Sequence, residues 1–217
     1  MLIVRHAVVG PFAANCWLAS CGRTGEAVLI DPGGDVRRVL ALLREGGRVV
    51  RIFCTHGHID HVAGGAEARA LTGAPLQIHP ADEGWLAALP RQAEMFGFDA
   101  VTPPAVDHRH ADGETFRVGD AEARVIHTPG HSAGSCSLHF PAEKVLFTGD
   151  TLFAGSVGRT DLPGGDFEAL ERSIRERLFP LGDDVRFHPG HGPGGTLGDE
   201  RRANPFVGEN PPRGRFV

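Results

Sequence analysis

Thr55-His56-Gly57-His58-Ile59-Asp60-His61 places three histidines and one aspartate within six residues, His56 to His61. His56 and His58 stand two apart, just after the apolar run Val49–Cys54, which reads as a buried strand interrupted only by Arg51. At a strand end, that spacing can aim both imidazoles at one point. Asp60 and His61 are adjacent and open a helix expected over about His61–Thr72, so they leave in other directions. One four-coordinate zinc rarely takes all four side chains. Two ions a few ångström apart would use them naturally.

Upstream, Leu2–Val9, Asn15–Ser20 and Glu26–Asp31 are short β-prone runs separated by Gly10-Pro11, Gly22 and Asp31-Pro32-Gly33-Gly34. The period then changes. Over Asp35–Glu45, Val36, Val39, Leu40 and Leu43 fall on one helical face, and Gly46-Gly47 ends it. Downstream, a short strand is expected at Leu76–His79, and residues 80–98 read as helical and surface-facing. The second half repeats the grammar. Thr115–Val118 with Glu122–His127, and Ser135–Phe140 with Lys144–Thr148, read as hairpins. Phe167–Leu178 is an amphipathic helix with Phe167, Leu170, Ile174 and Leu178 on its apolar face, and Val185–His188 is a last strand. Strands then helix, twice, suggests two packed sheets with helices outside.

Three further candidate ligands follow predicted strands. His131 comes after Thr128-Pro129-Gly130, Asp150 after Phe147-Thr148-Gly149, and His191 after Pro189-Gly190. Each has a glycine beside it, which lets backbone approach a crowded centre. Seven nitrogen and carboxylate ligands exceed one zinc and suit two ions, with Asp150 as the bridging carboxylate. His79, His108, His110, His127, His139 and His188 read as surface or packing histidines, with His188 close enough in sequence to support His191. Arg159 has two readings, binding a substrate carboxylate or pairing with Asp161 to hold its loop. Cys54 reads as a buried strand residue.

The 217 residues suit one substantial domain, and 41% apolar residues allow a packed core. Thirty glycines and 16 prolines fit a strand-rich chain with many tight turns. A net charge of −5 without a long basic run argues against a nucleic-acid or anionic-membrane partner. Met1–His6 shows no export leader, and no apolar run approaches ~20 residues. The expected location is therefore cytoplasmic, with Cys16, Cys21, Cys54 and Cys136 reduced.

The motifs Leu29-Ile30-Asp31-Pro32-Gly33, His56–His61, Thr128-Pro129-Gly130-His131-Ser132, Phe147-Thr148-Gly149-Asp150 and Pro189-Gly190-His191-Gly192 resemble the metallo-β-lactamase fold superfamily across residues 1–197. Gly158-Arg159-Thr160-Asp161-Leu162-Pro163-Gly164-Gly165 looks like the loop of the short glyoxalase II-like, or hydroxyacylglutathione hydrolase-like, enzymes. The resemblance implies an α+β fold, a four-layer αββα sandwich with its site at one edge. Residues 1–197 would form the catalytic domain and 198–217 a polar, proline-rich C-terminal tail. The helical domain that completes the glutathione pocket in full-length glyoxalase II is not expected here, which leaves the thiol carrier open. Carried over by position, His56, His58 and His131 take one metal, Asp60, His61 and His191 the other, and Asp150 bridges. Asp31 matches a position beside the site, as a supporting carboxylate.

The expected cofactors are two divalent ions, zinc first, although these ligands also accept iron or manganese. Two such ions, Asp60, Asp150 and a bridging hydroxide leave one net positive charge. A metal-bound water ionises near pH ~7 and supplies the nucleophile, and the excess charge stabilises an oxyanion. Asp60 is expected to orient the hydroxide. No covalent serine route is expected. The implied activity is hydrolysis of a small-molecule thioester, glutathione-linked in the enzymes it resembles. The alternative is a mononuclear iron persulfide dioxygenase, a family that also resembles this chain. It would use His56, His131 and Asp150, a two-histidine, one-carboxylate set suited to such iron.

Overall fold

The computed structural model describes residues 1–209. Leu2–Val9 (β1), Ala14–Cys21 (β2), Glu26–Ile30 (β3), Arg48–Phe53 (β4), Leu76–Ile78 (β5) and His108–Arg109 (β6) form one sheet in sequence order. Its first three strands run antiparallel and the rest parallel. Thr115–Val118 (β7), Ala121–His127 (β8), Cys136–Phe140 (β9) and Val145–Gly149 (β10) belong to the second sheet, Leu152–Phe153 (β11) and Ser156–Val157 (β12) make a small ribbon, and Arg186–Pro189 (β13) and Gly195–Thr196 (β14) complete the second sheet. The order there is β14-β13-β10-β9-β8-β7, with β10 and β13 parallel. The helices are Val36–Leu40 (α1), Ile59–Val62 (α2), Gly65–Thr72 (α3), Glu83–Ala87 (α4), Leu89–Phe96 (α5), Phe167–Arg172 (α6) and Leu197–Ala203 (α7).

Alternation along the strands divides the core into three layers. Trp17, Ala19, Val28, Ile30 and Phe53 meet Val125, Leu138, Phe140 and Phe147 between the sheets. Cys16, Leu18, Leu29 and Ile52 point the other way, onto Val36, Val39, Ile59, Val62 and Ala68 of the first helical layer. Ile126, Leu146 and Phe187 meet Leu170, Ile174, Leu178 and Leu197 in the second. Central strands buried on both faces read as near-continuous apolar runs, as β2 does: all eight of its residues are buried. The result is the expected αββα sandwich.

Four local expectations are corrected. The helix expected over His61–Thr72 is two helices, because the chain turns at Gly64-Gly65: the Gly64 N–H bonds to the Pro32 carbonyl, and a Cβ on Gly64 would meet that oxygen at 2.8 Å. The segment 80–98 is not merely a surface helix, since Leu86, Leu89 and Ala93 are buried in the core. Phe167 leaves the apolar face assigned to it and is exposed, while Leu170, Ile174 and Leu178 stay buried as the helix continues in a π-helical turn over Ser173–Leu178. Part of the expected tail is structured. Leu197–Ala203 is α7, capped by Thr196, and Glu200, Asn204 and Val207 are buried behind it. Residues 210–217, including Asn210-Pro211-Pro212, lie outside the described residues. Among the described residues no helix is long and apolar enough to cross a membrane.

Candidate metal centre

All seven candidate ligands meet at one edge of the sandwich. His56 and His58 follow β4, Asp60 and His61 lie in α2, His131 follows β8, Asp150 follows β10 and His191 follows β13. His56, His58 and His131 bring one nitrogen each within 4.8 Å of one another, and Asp60, His61 and His191 make a second group of the same kind. Nδ1 of His58 faces Nε2 of His131 at 2.9 Å. His191 Nε2 stands 3.1 Å from Asp60 Oδ2 and 3.2 Å from His61 Nε2. Asp150 reaches both groups: its Oδ2 lies 3.8 Å from His131 Nε2 and 3.5 Å from His191 Nε2, and its Oδ1 3.4 Å from His61 Nε2.

These side chains are held from behind. The Nδ1–H of His131 donates to the Arg159 carbonyl at 2.8 Å, leaving Nε2 as a lone pair. His61 donates through Nδ1 to Asp31 Oδ2 at 3.1 Å. Asp31 also accepts from the Thr55 amide and the Thr55 hydroxyl, each at 2.7 Å. Both its oxygens are thus engaged, which makes Asp31 a supporting carboxylate although it lies close enough to His56 and His61 to form a third cluster. Gly190 gives the close approach that the sequence implied: a Cβ there would stand 2.1 Å from Asp150 Oδ1 and 2.6 Å from His61 Cε1.

Two holding residues have no signal in the ligand motifs. Asp82, fully buried, accepts from the Gly57 amide (2.9 Å) and the Ser132 hydroxyl (2.7 Å) through Oδ2, and from the Gly134 amide (2.7 Å) through Oδ1. It ties the loop bearing His58 to the loop bearing His131. Asn15 of β2 donates to the carbonyls of Pro189 (3.0 Å) and Gly192 (2.9 Å) and so brackets His191. An asparagine inside an apolar strand was the available cue.

The electrostatics call for a cation. His56 Nε2 and Asp150 Oδ1 are buried without a hydrogen-bond partner, a state that native structures seldom leave unexplained. Burial, followed by the neighbouring histidines, drives His56 well down and brings His58 down to about 3, so both offer lone pairs at neutral pH. Burial alone would raise the carboxyls of Asp60 and Asp150, but the facing histidines outweigh it and keep both ionised. Burial also opposes charge on His61, yet Asp150 and Asp60 pull it above the usual imidazole range. Among the described residues, no lysine or arginine pairs with either carboxylate; their ion-pair partners are His61, His131 and His191. Two ionised carboxylates, the neutral imidazoles of His56 and His58, and a His61 drawn toward protonation by those carboxylates form a site where divalent cations would supply the positive charge in place of protons.

The remaining candidates separate. His188 stacks on Phe147 and packs at a tilt against Trp17, away from His191. Arg159 forms a two-pronged pair with Asp161, at 2.6 and 2.7 Å, which is the loop-holding reading. The Cys54 thiol is buried, which pushes it well up and makes it a poor nucleophile. Gly130-His131-Ser132-Ala133-Gly134 has the spacing of a serine elbow, against the expectation that the chain offers no serine route. Ser132 is nevertheless not placed to act as a nucleophile. Ser132 is buried, its hydroxyl is given to Asp82 and Ser135, and a strand, not a helix, follows it.

A cavity of about 950 Å³ opens over the centre, and His58, Asp60, His131, Asp150 and His191 form its floor.

Comparison with known proteins agrees with this geometry. The family profile described as "Metallo-beta-lactamase superfamily" matches residues 9–197. Hydroxyacylglutathione hydrolase GloC of Haemophilus influenzae is 36% identical over 204 residues, 92% of this chain and 95% of that protein. The crystal structure of BLEG-1 B3 metallo-beta-lactamase matches with a TM-score of 0.87 at 36% identity, covering 94% of this chain and 99% of the other. TTHA1623, solved in a di-iron-bound form, matches with a TM-score of 0.83 at 38% identity, covering 93% and 99%. The profile spans nearly the whole described chain and takes in all seven clustered residues: the protein belongs to the metallo-β-lactamase superfamily.

Proposed function

We propose that this protein is a metal-dependent hydrolase of small thioesters, of the hydroxyacylglutathione hydrolase type. Family membership supports the coarser part, a metal-dependent hydrolase. One observation carries the two-metal reading: both three-residue groups are complete, and Asp150 lies within reach of each. The thioester assignment draws its support from the likeness to GloC and from the Arg159–Gly165 loop, whose Leu162 and Pro163 line the cavity.

In this reading His56, His58 and His131 hold one ion, Asp60, His61 and His191 the other, and Asp150 is shared. Zinc is the first expectation, with iron or manganese compatible with the donor set. Two divalent ions supply Lewis acidity and water activated at neutral pH. The chain's own residues do the rest. Asp60, ionised, accepts a hydrogen bond from the attacking water at a carboxylate oxygen and orients it toward the acyl carbon. The apolar cavity walls exclude bulk water and position the substrate. A departing thiolate needs little proton donation, and no side chain is assigned as general acid.

Metal analysis with two assays tests this. The expected result is two ions per chain and hydrolysis of S-lactoylglutathione. His58→Ala is expected to abolish that hydrolysis and lower metal content. A single iron per chain, with oxygen uptake dependent on glutathione persulfide and retained in His58→Ala, would replace the proposal by the dioxygenase.

A further inference from the structure

Residues 80–97 do more than cover the sheet. Ala81, Gly84, Trp85, Ala88, Arg91, Gln92, Met95 and Phe96 recur at helical spacing and all line the cavity. The opposite face, Leu86, Leu89 and Ala93, is buried in the core. Gln92 fixes the wall to the centre: its Oε1 accepts from the Ile59 amide at 3.0 Å, and its Nε2 donates to the Trp85 carbonyl at 2.9 Å. Trp85 in turn stands edge-on to His58, with ring centroids 4.6 Å apart.

Two features of this wall ask for a ligand. First, its mouth is apolar and open. Met95 is 66% exposed and Phe96 45%, and Phe12 across from them is 44% exposed, its ring 5.6 Å from that of Phe96. They are three of the seven large apolar residues that the described surface exposes. Clustered at a cavity mouth, they mark a binding surface and not scatter. Second, Arg91 lies among them with no carboxylate of the chain paired to it among the described residues, whereas the cavity's other arginine, Arg159, is committed to Asp161. An unpaired guanidinium on a wall whose other polar group, the Gln92 amide, is already hydrogen-bonded suits a carboxylate.

We propose, resting on the thioester reading above, that this wall selects the substrate: a thioester with a bulky apolar group, packed against Phe12, Met95 and Phe96, and a carboxylate that pairs with Arg91. The function of Arg91 is positioning; it touches no reacting atom.

The test uses metal-loaded protein and phenylacetyl thioesters of 3-mercaptopropionate, which is anionic, and 2-mercaptoethanol, which is neutral. The wild type is expected to favour the anionic ester about tenfold or more in kcat/KM, through KM. Arg91→Ala is expected to bring the two esters within about twofold, and Arg91→Lys to restore part of the preference. Replacing phenylacetyl by acetyl is expected to raise KM, and Phe96→Ala to shrink that difference. A preference that survives Arg91→Ala, or is absent from the wild type while both esters are cleaved, overturns the proposal and leaves the hydrolase reading intact. If neither ester is cleaved, S-lactoylglutathione separates the readings: its cleavage leaves the hydrolase reading intact, and its survival is what makes that reading fail. Calorimetric titration with 3-(benzylthio)propanoate, which cannot be hydrolysed, then decides this one. Binding about tenfold weaker to Arg91→Ala supports it, and equal affinity, or no binding to the wild type, overturns it.

Discussion

Asp31 accepts a hydrogen bond from Nδ1 of His61 at 3.1 Å, with both side chains sealed from solvent. The bond fixes the tautomer that turns Nε2 toward Asp60, Asp150 and His191. Asp31→Asn is expected to weaken metal binding at that group about 10- to 100-fold, the usual cost of losing a partner behind a ligand. Competition with a coloured chelator checks this, and an affinity within twofold of wild type would refute the orienting role.

Asp82 joins the two ligand loops through three charge-assisted hydrogen bonds. Asp82→Ala strands two buried amides and a hydroxyl, and is expected to destabilise the protein by about 2–4 kcal/mol. It is also expected to lower kcat more than it raises KM, because His58 and His131 lose their relative placement. Asp82→Asn keeps an acceptor and is expected to fall between. Urea titration and steady-state kinetics on the same preparations read both effects.

Gly190 faces Asp150 Oδ1 and His61 with no room for a methyl group. Gly190→Ala is expected to displace Asp150 and reduce metal content well below wild type while the sandwich remains folded. Elemental analysis beside circular dichroism separates these outcomes, and full metal occupancy in the variant would contradict the crowding argument.

His110 is fully buried, stacked on Phe53, with both ring nitrogens unpartnered; burial brings it down to about 3 from the ordinary 6.5. The unfolded chain therefore takes up a proton that the folded chain refuses between those values. The corresponding stability is complete above pH 6.5 and is lost as pH falls toward 3, with a slope approaching ~1.4 kcal/mol per pH unit. His110→Phe is expected to flatten the acid side of the stability profile by one proton's worth. His139 and His188, lowered to about 4, keep part of the slope. Denaturant titrations at pH 7, 6 and 5 measure the difference.

Chelation offers the broadest check. The candidate ligands come from five segments, at β4, α2, β8, β10 and β13, and shared ions would add cross-links to the hydrogen bonds already there, so loaded protein is expected to melt several degrees above chelated protein. Differential scanning calorimetry with and without EDTA reads this, and identical transitions would mean the cluster holds no ion under those conditions.

The candidate ligands were legible because each sits in a short motif of metal-binding side-chain types: His56 to His61 announces itself, and His131, Asp150 and His191 follow strands beside glycines. The αββα layering followed from strand runs and helical periods. What holds the ligands was not legible. Asp82 reaches back 25 residues to Gly57 and ahead 50 to Ser132, and Asn15 reaches 174 residues to Pro189. Nothing local in the sequence encodes such pairings. Gly64-Gly65 hid a break inside a helical period because its cause, the Pro32 carbonyl, lies across the fold. The segment 80–98 gave up its helicity but not its role, since a face becomes a wall only when something stands opposite.

That wall is one unbroken stretch of chain between β5 and β6, and five ligand segments lie outside it. In the proposed reading, most of the substrate wall, Phe12 apart, and the candidate ligands are therefore written in separable passages of the sequence. Exchanging residues 83–97 with those of a relative would redirect the enzyme without rewriting its reactive centre, on two conditions. Asp82, just before the exchanged stretch, has to stay, and position 92 has to keep a glutamine, because these two residues rivet the wall to the ligand loops.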